Sequence, residues 1–251
     1  MRRLFALLQR LRNFFRSRAV WYEGRYLPAR HLRFGGAHFR TEAQFLASAR
    51  AEADRLVTHC GLQRLSRVLD VGCGVGRLQI GISDRVGEIA RYGGVDVYAG
   101  AIRWCQKYLA PAHPSCTFTH LDVQNPRYNP TGRPLGKHFQ FPFSDQSFDI
   151  IYLYSVFSHI LDADVRAYLK EFRRLLTPGG IVFLTAFVET GVSEITVNPS
   201  EYQRVWQGAL HCVRYEQQFF EGLVVAADLN VHRFDYGKET DGQSAYYLTC
   251  P

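Results

Sequence analysis

Residues 66–78 read SRVLDVGCGVGRL, an apolar run followed by an acid and then by three glycines at alternate positions. The apolar run predicts a buried β-strand that ends near Asp70. Glycines directly after a strand let the backbone adopt positive φ angles and approach a bound ligand closely. The stretch therefore predicts a strand, a glycine turn at a ligand site, and a helix from about Gly76.

Strand and helix patterns alternate along most of the remaining chain. Further strands are predicted from YGGVDV (92–97), CTFTHLDV (116–123), FDIIYLYS (148–155) and GGIVFLTAF (179–187), and helices from about Thr41 to Cys60, with Thr41 as N-cap, and at 99–109 and 162–176. SAYYLTC (244–250) reads as an edge or antiparallel strand, and the pattern between 188 and 243 is less regular. Such alternation is typical of parallel strands with helices on both faces of the sheet.

The strand ends direct attention to one edge of this sheet. In open α/β sheets ligands bind beyond the carboxyl ends of the strands, where Asp70, Asp96, Asp122 and residues 154–159 fall. The dinucleotide fingerprint G-x-G-x-x-G fails here, because Arg77 stands where its third glycine would be. A carboxylate beside the turn suits an ammonium or sulfonium ligand better than a pyrophosphate.

The segment VLDVGCGVGRL resembles the cofactor motif of the class I S-adenosylmethionine-dependent methyltransferases. FPFSDQSFDIIYLYSVFSHI (141–160) resembles the fourth-strand motif of that family, EFRRLLTPGGIVFLT (171–185) its next helix and strand, and SVFSHI its broad ubiquinone-methyltransferase-like group. The resemblance covers about 42–187. With the alternating pattern, it implies an α/β fold with a doubly wound, mostly parallel seven-stranded sheet, helices on both faces and an antiparallel last strand.

The resemblance also implies S-adenosyl-L-methionine as the cofactor and a set of residues that bind it. Asp96 matches the acid that binds the ribose hydroxyls, Asp122 the acid that faces the adenine amino group, and Asp70 an acid at or near the cofactor that also sets the loop. The whole implied set is Asp70, Gly72, Cys73, Gly74, Gly76, Asp96, Val97, Asp122, Val123, Tyr154 and Ser155.

One insertion departs from the family pattern. An insertion at about 124–140, QNPRYNPTGRPLGKHFQ, separates the third-strand acid from FPF. It puts the contact between Asp122 and the adenine in doubt, because Val123 or a side chain of the insert can make that contact instead. A Pro- and Gly-rich loop of this length more often forms part of a binding surface than a mere connection. The insert is therefore expected beside the acceptor.

Methyl transfer depends mainly on positioning the reacting groups. A general base increases the rate further when the acceptor is a hydroxyl. His159, just beyond the fourth strand of the pattern, is the candidate base, and a structural histidine that holds the loop is the open alternative. Tyr26, His38 and His138 are expected as acceptor contacts. The spacing of cysteines, histidines and acids predicts no metal site.

The net charge of +7 comes from the N-terminal segment. Residues 1–40 hold ten arginines and one acid, so residues 41–251, the expected methyltransferase domain, are nearly neutral, which disfavours a nucleic-acid partner. Residues 1–18 predict a basic amphipathic helix, followed by a loop to residue 40. This helix either contacts an anionic membrane surface or covers the active site or a partner; it lacks the pattern of a signal peptide.

O-methylation of a small molecule, or of a glycan or glycolipid hydroxyl, is the favoured activity. Methylation of a lipid or quinone headgroup at a membrane surface is the alternative, followed by protein or nucleic-acid methylation and by a non-catalytic scaffold. Six cysteines without a C-x-x-C pair are typical of a reducing cytoplasm, with peripheral attachment to the inner membrane surface left open. The oligomeric state and the acceptor stay undetermined at this point.

Overall fold

The computed structural model describes residues 18–33, 39–136 and 138–251, and the strand predicted from the glycine-turn segment lies at its centre. This strand, β3 (Arg67–Val71), pairs in parallel with β4 (Arg91–Asp96) on one side and β6 (Phe148–Leu153) on the other. Outward from these, β4 pairs in parallel with β5 (Cys116–His120) and β6 with β7 (Leu176–Glu189). The carboxyl ends of five strands therefore meet at one edge of the sheet.

Two antiparallel strands complete the sheet beyond β7. The last strand of the chain, β11 (Ser244–Thr249), pairs with β7 and with β10 (Asn230–Asp235), which gives the order β10-β11-β7-β6-β3-β4-β5. The seven-stranded, mostly parallel sheet is thus confirmed. The sequence predicted β11 to be either an edge strand or an antiparallel strand. It is antiparallel, and the strand at this edge of the sheet is β10. A short ladder of β8 (Ile195–Val197) and β9 (Val213–Glu216) extends the end of β7.

Helices cover both faces of the sheet, as predicted. They are α1 (Glu42–Cys60), α2 (Arg77–Arg85), α3 (Ala99–Tyr108), α4 (Asp162–Leu175) and α5 (Gln217–Ala226). Thr41 caps α1 through a reciprocal capping box with Gln44, and Gly61 ends it in the left-handed conformation. One apolar cluster contains the buried faces of α1, α2 and α3, and a second contains those of α4 and α5.

The described part of the N-terminal segment is a β-hairpin where the sequence predicted a loop. β1 (Ala19–Tyr22) and β2 (Arg25–Pro28) are antiparallel, and the turn residues Glu23 and Gly24 both have positive φ. An ion pair from Arg25 to Asp84 of α2 ties the hairpin to the domain. The helix predicted over 1–18 lies outside the described residues, Arg18 excepted. Within the described ranges, no helix combines the length and apolar character that crossing a bilayer takes.

Candidate active site

A cavity of about 720 Å³ opens at the carboxyl edge of the sheet. Its wall includes most of the residues predicted from the sequence: Gly72, Cys73, Gly74, Asp96, Val97, Val123, Tyr154, Ser155 and His159. Further wall residues come from the insert, from the segment around 204–211 and from the residues just before β11, and others come from 33–45 and from α4. The fold thus brings consecutive strand ends together with three irregular segments.

The glycine turn lets the backbone itself form the floor of the cavity. Gly72 and Gly74 have φ angles of +76° and +52°, which side chains rarely adopt. A Cβ atom at Gly72 would lie 2.5 Å from Cγ2 of Val156, whereas one at Gly74 would meet no atom within 4 Å. Gly72 is therefore required for packing, and Gly74 keeps space open for a ligand.

Asp96, at the end of β4, holds the glycine turn and faces the cavity. Its Oδ2 accepts the N–H of Gly74 at 2.7 Å, and its Oδ1 accepts the N–H of Tyr98 at 2.7 Å. Burial raises the pKa of this carboxyl, and the two backbone hydrogen bonds oppose the shift. Each carboxylate oxygen can accept more than one hydrogen bond, so Asp96 can also bind vicinal hydroxyls of a ligand.

Asp70 lies behind the turn and does not line the cavity. It is 2% exposed and accepts a hydrogen bond from the hydroxyl of Tyr92. Burial raises the pKa of Asp70 to about 7, against the opposing effects of that hydrogen bond and of the charge of Arg77. The carboxyl therefore bonds to β4 behind the cavity, and its expected roles at the cofactor and in setting the loop stay predictions.

The insert turns Asp122 away from the expected adenine contact. Its carboxylate, about half exposed, pairs with Arg133 at 3.3 Å and accepts a hydrogen bond from Asn129, also at 3.3 Å. Leu121 and Val123 on either side of it line the cavity instead. The doubt that the insert raised about Asp122 is justified, because insert residues take over its carboxylate.

Two other expected site residues lie elsewhere. Tyr26 packs against Trp21 and Tyr108 in a separate cleft, because the hairpin docks beside α3 rather than at the strand ends. His138 is exposed and does not line the cavity. His38 lies outside the described residues, so its expected contact stays a prediction.

Arg77 is a cavity residue that the sequence reading treated only as a missing glycine. Its guanidinium lies between the rings of Phe39 and Tyr154, 5.2 and 5.5 Å from their centres, and 4.0 Å from a carboxylate oxygen of Glu52. A cation in the first turn of a helix opposes the helix dipole, and that mismatch was the available signal.

The end of β6 is tied to the segment before β11. Ser155 has a φ of +59°, its N–H donates to the hydroxyl of Thr185 at 2.8 Å, and its hydroxyl accepts from Gln243. The neighbouring Tyr154 hydroxyl makes a 2.8 Å hydrogen bond with the hydroxyl of Thr240. This network holds Tyr154 and Ser155 on the cavity wall in a backbone conformation that is otherwise unfavourable.

His159 lies on the cavity wall at the end of a short 3₁₀ turn (Phe157–His159). Its Nδ1 lies 3.0 Å from the carbonyl oxygen of Leu210, which can only accept, so Nδ1 carries the hydrogen. Burial lowers the pKa of His159 to about 4. The imidazole is therefore neutral at physiological pH, with its basic lone pair on Nε2.

An aromatic cluster forms the wall near His159. Phe187, Tyr202, Trp206 and Cys212 are buried together, and Trp206 packs its ring edge against His211 at 5.2 Å. Arg204 lies over the ring of Trp206 and pairs with Asp241 at 2.8 Å. In the described ranges, no group of three or more His, Cys, Asp or Glu side chains is arranged to hold a metal ion.

Comparison with known proteins finds matches for the central part of the chain. Residues 69–184 match the family described as a methyltransferase domain. An uncharacterized methyltransferase of Schizosaccharomyces pombe is 28% identical over 57% of this chain and 46% of its own length. A demethylmenaquinone methyltransferase of Lysinibacillus sphaericus is 27% identical over 55% and 50%. The matched region thus spans about half the length of these relatives.

Solved structures share the fold of most of this chain at low sequence identity. The [4+2]-cyclase SpnF superposes with a TM-score of 0.61 at 15% identity, covering 87% of this chain and 84% of its own. The glycopeptide N-methyltransferase MtfA in complex with S-adenosyl-L-methionine gives 0.55 at 15% identity, covering 81% and 94%. A SAM-dependent methyltransferase from Aquifex aeolicus gives 0.53 at 16%, covering 78% and 88%.

Proposed function

We propose that this chain, whose residues 69–184 form a class I S-adenosylmethionine-dependent methyltransferase domain, transfers a methyl group to a hydroxyl of a small molecule or glycan. The observation that carries the proposal is the place of His159 on the wall of the cavity that contains Asp96, with its Nδ1 hydrogen-bonded to the carbonyl of Leu210 and its Nε2 left to act as a base. Its lone pair on Nε2 can accept a hydroxyl proton.

The residues on the cavity wall fit the cofactor. The turn at Gly72 and Gly74 gives close backbone approach, Asp96 offers lone pairs to the ribose hydroxyls, and Val97, Leu121 and Val123 offer an apolar surface to the adenine. Arg77 supplies a positive charge for the methionine carboxylate, and Tyr154 and Ser155 lie at the same end. The bound cofactor supplies an electrophilic methyl group on a sulfonium.

His159 supplies the proton acceptor in this proposal. The acceptor oxygen would bond to the methyl carbon as the bond from that carbon to the sulfonium sulfur breaks, so that S-adenosylhomocysteine leaves, and the proton of the acceptor's O–H bond would move to Nε2 of His159. The hydrogen bond from Nδ1 to Leu210 fixes the ring during this transfer. Because burial favours the neutral ring, the proton then passes readily to solvent.

Cavity size supports a small acceptor. The volume of about 720 Å³ has to hold both cofactor and acceptor and lies within the 300–1,000 Å³ typical of small-ligand sites. The similarity to a demethylmenaquinone methyltransferase favours the alternative of a quinone headgroup, reached at a membrane surface. The nearly neutral composition of residues 41–251 disfavours nucleic acid.

A cytoplasmic location belongs to the same proposal. All six cysteines are free thiols, as expected in a reducing compartment. Peripheral contact with the inner membrane surface through residues 1–18 is compatible with this location.

Replacing His159 with glutamine tests the base. Loss of a general base lowers kcat by about 100-fold or more, while the Kd for S-adenosylmethionine stays unchanged. Because the pKa of His159 is lowered to about 4, kcat/KM of the unaltered protein should be flat from pH 5.5 to 8 and fall below about pH 5. The measurements are calorimetry with the cofactor and release of S-adenosylhomocysteine with phenols, sugars and quinols as acceptors.

The exposed His232 of β10 gives the matched control, and His232→Gln should leave both parameters unchanged. An unaltered kcat in His159→Gln with a true acceptor would remove the base from the mechanism. Failure of the unaltered protein to bind S-adenosylmethionine would overturn the proposed function as a whole.

A further inference from the structure

We infer that the acceptor carries a negatively charged oxyanion, a carboxylate or a phosphate, and that Arg127 of the insert binds it. The inference deepens the proposed function, since it assumes that an acceptor enters the same cavity. Three observations support it: the ion pairs that the arginines of the cavity form, the contacts that hold Arg127, and the position of Arg127 relative to His159.

Arg127 differs from the other arginines of the cavity in its partners. Among the described cavity residues, Arg33 pairs with Glu42 at 2.9 Å, Arg77 with Glu52 at 4.0 Å and Arg204 with Asp241 at 2.8 Å. Arg127 makes no ion pair within the described ranges, and the residues outside those ranges contain no Asp or Glu. The protein therefore supplies no carboxylate to neutralise this one guanidinium.

Arg127 is nevertheless held in place. Its Nε donates to the hydroxyl of Tyr128 at 3.1 Å, and its guanidinium lies 5.5 Å from the centre of that ring. The Nε contact leaves both terminal nitrogens of the guanidinium to present N–H groups to a ligand. Two parallel N–H groups are the geometry that binds a carboxylate or phosphate bidentately.

The loop that carries Arg127 is fixed to the segment that carries His159. The Oδ1 of Asn125 accepts the N–H groups of Arg127 and Tyr128 at 2.9 and 3.0 Å, and its Nδ2 donates to the carbonyl of His159 at 3.1 Å. The ring of Tyr128, the residue next to Arg127, also contacts the ring of His159, with 5.6 Å between the ring centres. An anion bound by Arg127 would thus be held at a fixed place relative to Nε2.

Three carboxylates lie on the cavity wall, those of Asp96, Asp164 and Asp241. Asp96 is hydrogen-bonded to the glycine turn at the end of β4, and Asp164 lies in the first turn of α4. Arg127 lies on the insert between Asn125 and Tyr128, which both contact His159, and Asp241 is paired with Arg204. This separation favours a cationic cofactor at one end and an anionic acceptor at the other.

The test uses matched pairs of probes that differ in the anion alone. These are 4-hydroxybenzoate against 4-hydroxybenzamide, and glucose 6-phosphate against glucose. Binding of each to the protein loaded with S-adenosylhomocysteine is measured by calorimetry, and methyl transfer to each is measured with S-adenosylmethionine. The variants are Arg127→Gln, Arg127→Lys and the control Arg133→Gln, which alters an exposed insert arginine outside the cavity.

We expect at least one anionic probe to bind better than its neutral partner, and Arg127→Gln to weaken its binding about 10- to 100-fold while leaving the neutral probe unchanged. Arg127→Lys should retain part of the binding that Arg127→Gln loses, and Arg133→Gln should bind both probes as the unaltered protein does. Where turnover is seen, KM should rise and kcat should not change.

Equal binding of both members of each pair, or an Arg127→Gln variant that binds the anion as well as the unaltered protein does, would overturn the inference whether or not methyl transfer occurs. The two proposals fail separately. A protein that does not bind S-adenosylhomocysteine contradicts the proposed function, whereas one that binds it but ignores the anion contradicts only the role of Arg127.

Discussion

The two halves of the cavity are built in different ways. The half proposed for the cofactor consists of backbone and short side chains at consecutive strand ends, where the N–H of Gly74 is hydrogen-bonded to Asp96 and those of Gly72 and Cys73 to the carbonyl of Val95. The half proposed for the acceptor consists of long side chains on irregular segments, held by side-chain contacts such as that from Asn125 to His159. The hydrogen bonds of the sheet fix the position of the first half. Side chains of the second half can be substituted without disturbing a strand, because they lie on irregular segments.

The largest effect that tests this difference is expected at Asp96. Asp96→Ala removes the acceptor of two backbone N–H groups and the lone pairs proposed for the ribose, so the cofactor Kd should rise about a thousandfold or more. Asp122→Ala is the matched control, because its exposed ion pair is worth at most about 1 kcal/mol. Calorimetry with S-adenosylhomocysteine measures both, and equal losses in the two variants would contradict the assignment of Asp96.

A smaller effect, on stability, separates packing from backbone strain in the turn. Gly72→Ala combines a positive φ with a clash against Val156 and should lower the free energy of unfolding by about 3 kcal/mol. Gly191 has a similar φ of +70°, and a Cβ atom there would meet no atom within 4 Å. Gly191→Ala should therefore lower the free energy of unfolding by about 1 kcal/mol. Denaturant titration of both variants gives the difference, and equal values would show that Val156 yields without cost.

The last effect is spread over about three pH units and concerns the carboxyl of Asp70. Its pKa is raised to about 7 in the folded protein from an ordinary value of 3.8, so the folded state holds a proton that the unfolded state has lost between about pH 4 and 7. Its contribution to stability is therefore full below pH 4 and is lost as pH rises through 7, at no more than about 1.4 kcal/mol per pH unit. Asp70→Asn should remove this pH-dependent loss of stability, because an asparagine side chain does not titrate.

The measurement for Asp70 is the free energy of unfolding of both proteins at pH 4.5, 6 and 7.5. Asp70→Asn should gain stability relative to the unaltered protein as pH rises, whereas the exposed Asp122→Asn should not. Parallel pH curves for Asp70→Asn and the unaltered protein would show that Asp70 titrates normally.

Sequence reasoning succeeded where the signal was local. The capping residue Thr41, the strand before Asp70 and the turn at Gly72 each depend on neighbours within a few residues, and period-two and helical patterns fixed the sheet around them. The placement of Asp96 beside the turn followed from the rule that parallel strands end at the same edge.

The same reasoning was weaker wherever distant segments meet. The Nδ1 of His159 binds the carbonyl of Leu210, 51 residues away, and Gln243 reaches Ser155 across 88 residues. No periodic pattern predicts such contacts, so Thr185, Trp206 and Gln243 were not anticipated. Tyr26 was misplaced for a related reason, since the docking of a hairpin depends on its ion pairs and aromatic contacts rather than on its own sequence pattern.

The insertion of β11 between β7 and β10 has a consequence for the timing of biosynthesis. Thr240, Asp241 and Gln243, which precede this strand, line the cavity, and they leave the ribosome roughly 170 residues after the glycine turn. At translation rates of 5–20 residues per second this interval lasts about 10 to 30 s. A nascent chain can form the inner parallel strands during that interval, but the hydroxyls of Ser155 and Tyr154 gain Gln243 and Thr240 as partners only when the segment before β11 has been made. The cavity is therefore completed only after the segment that leads into β11 has been synthesised.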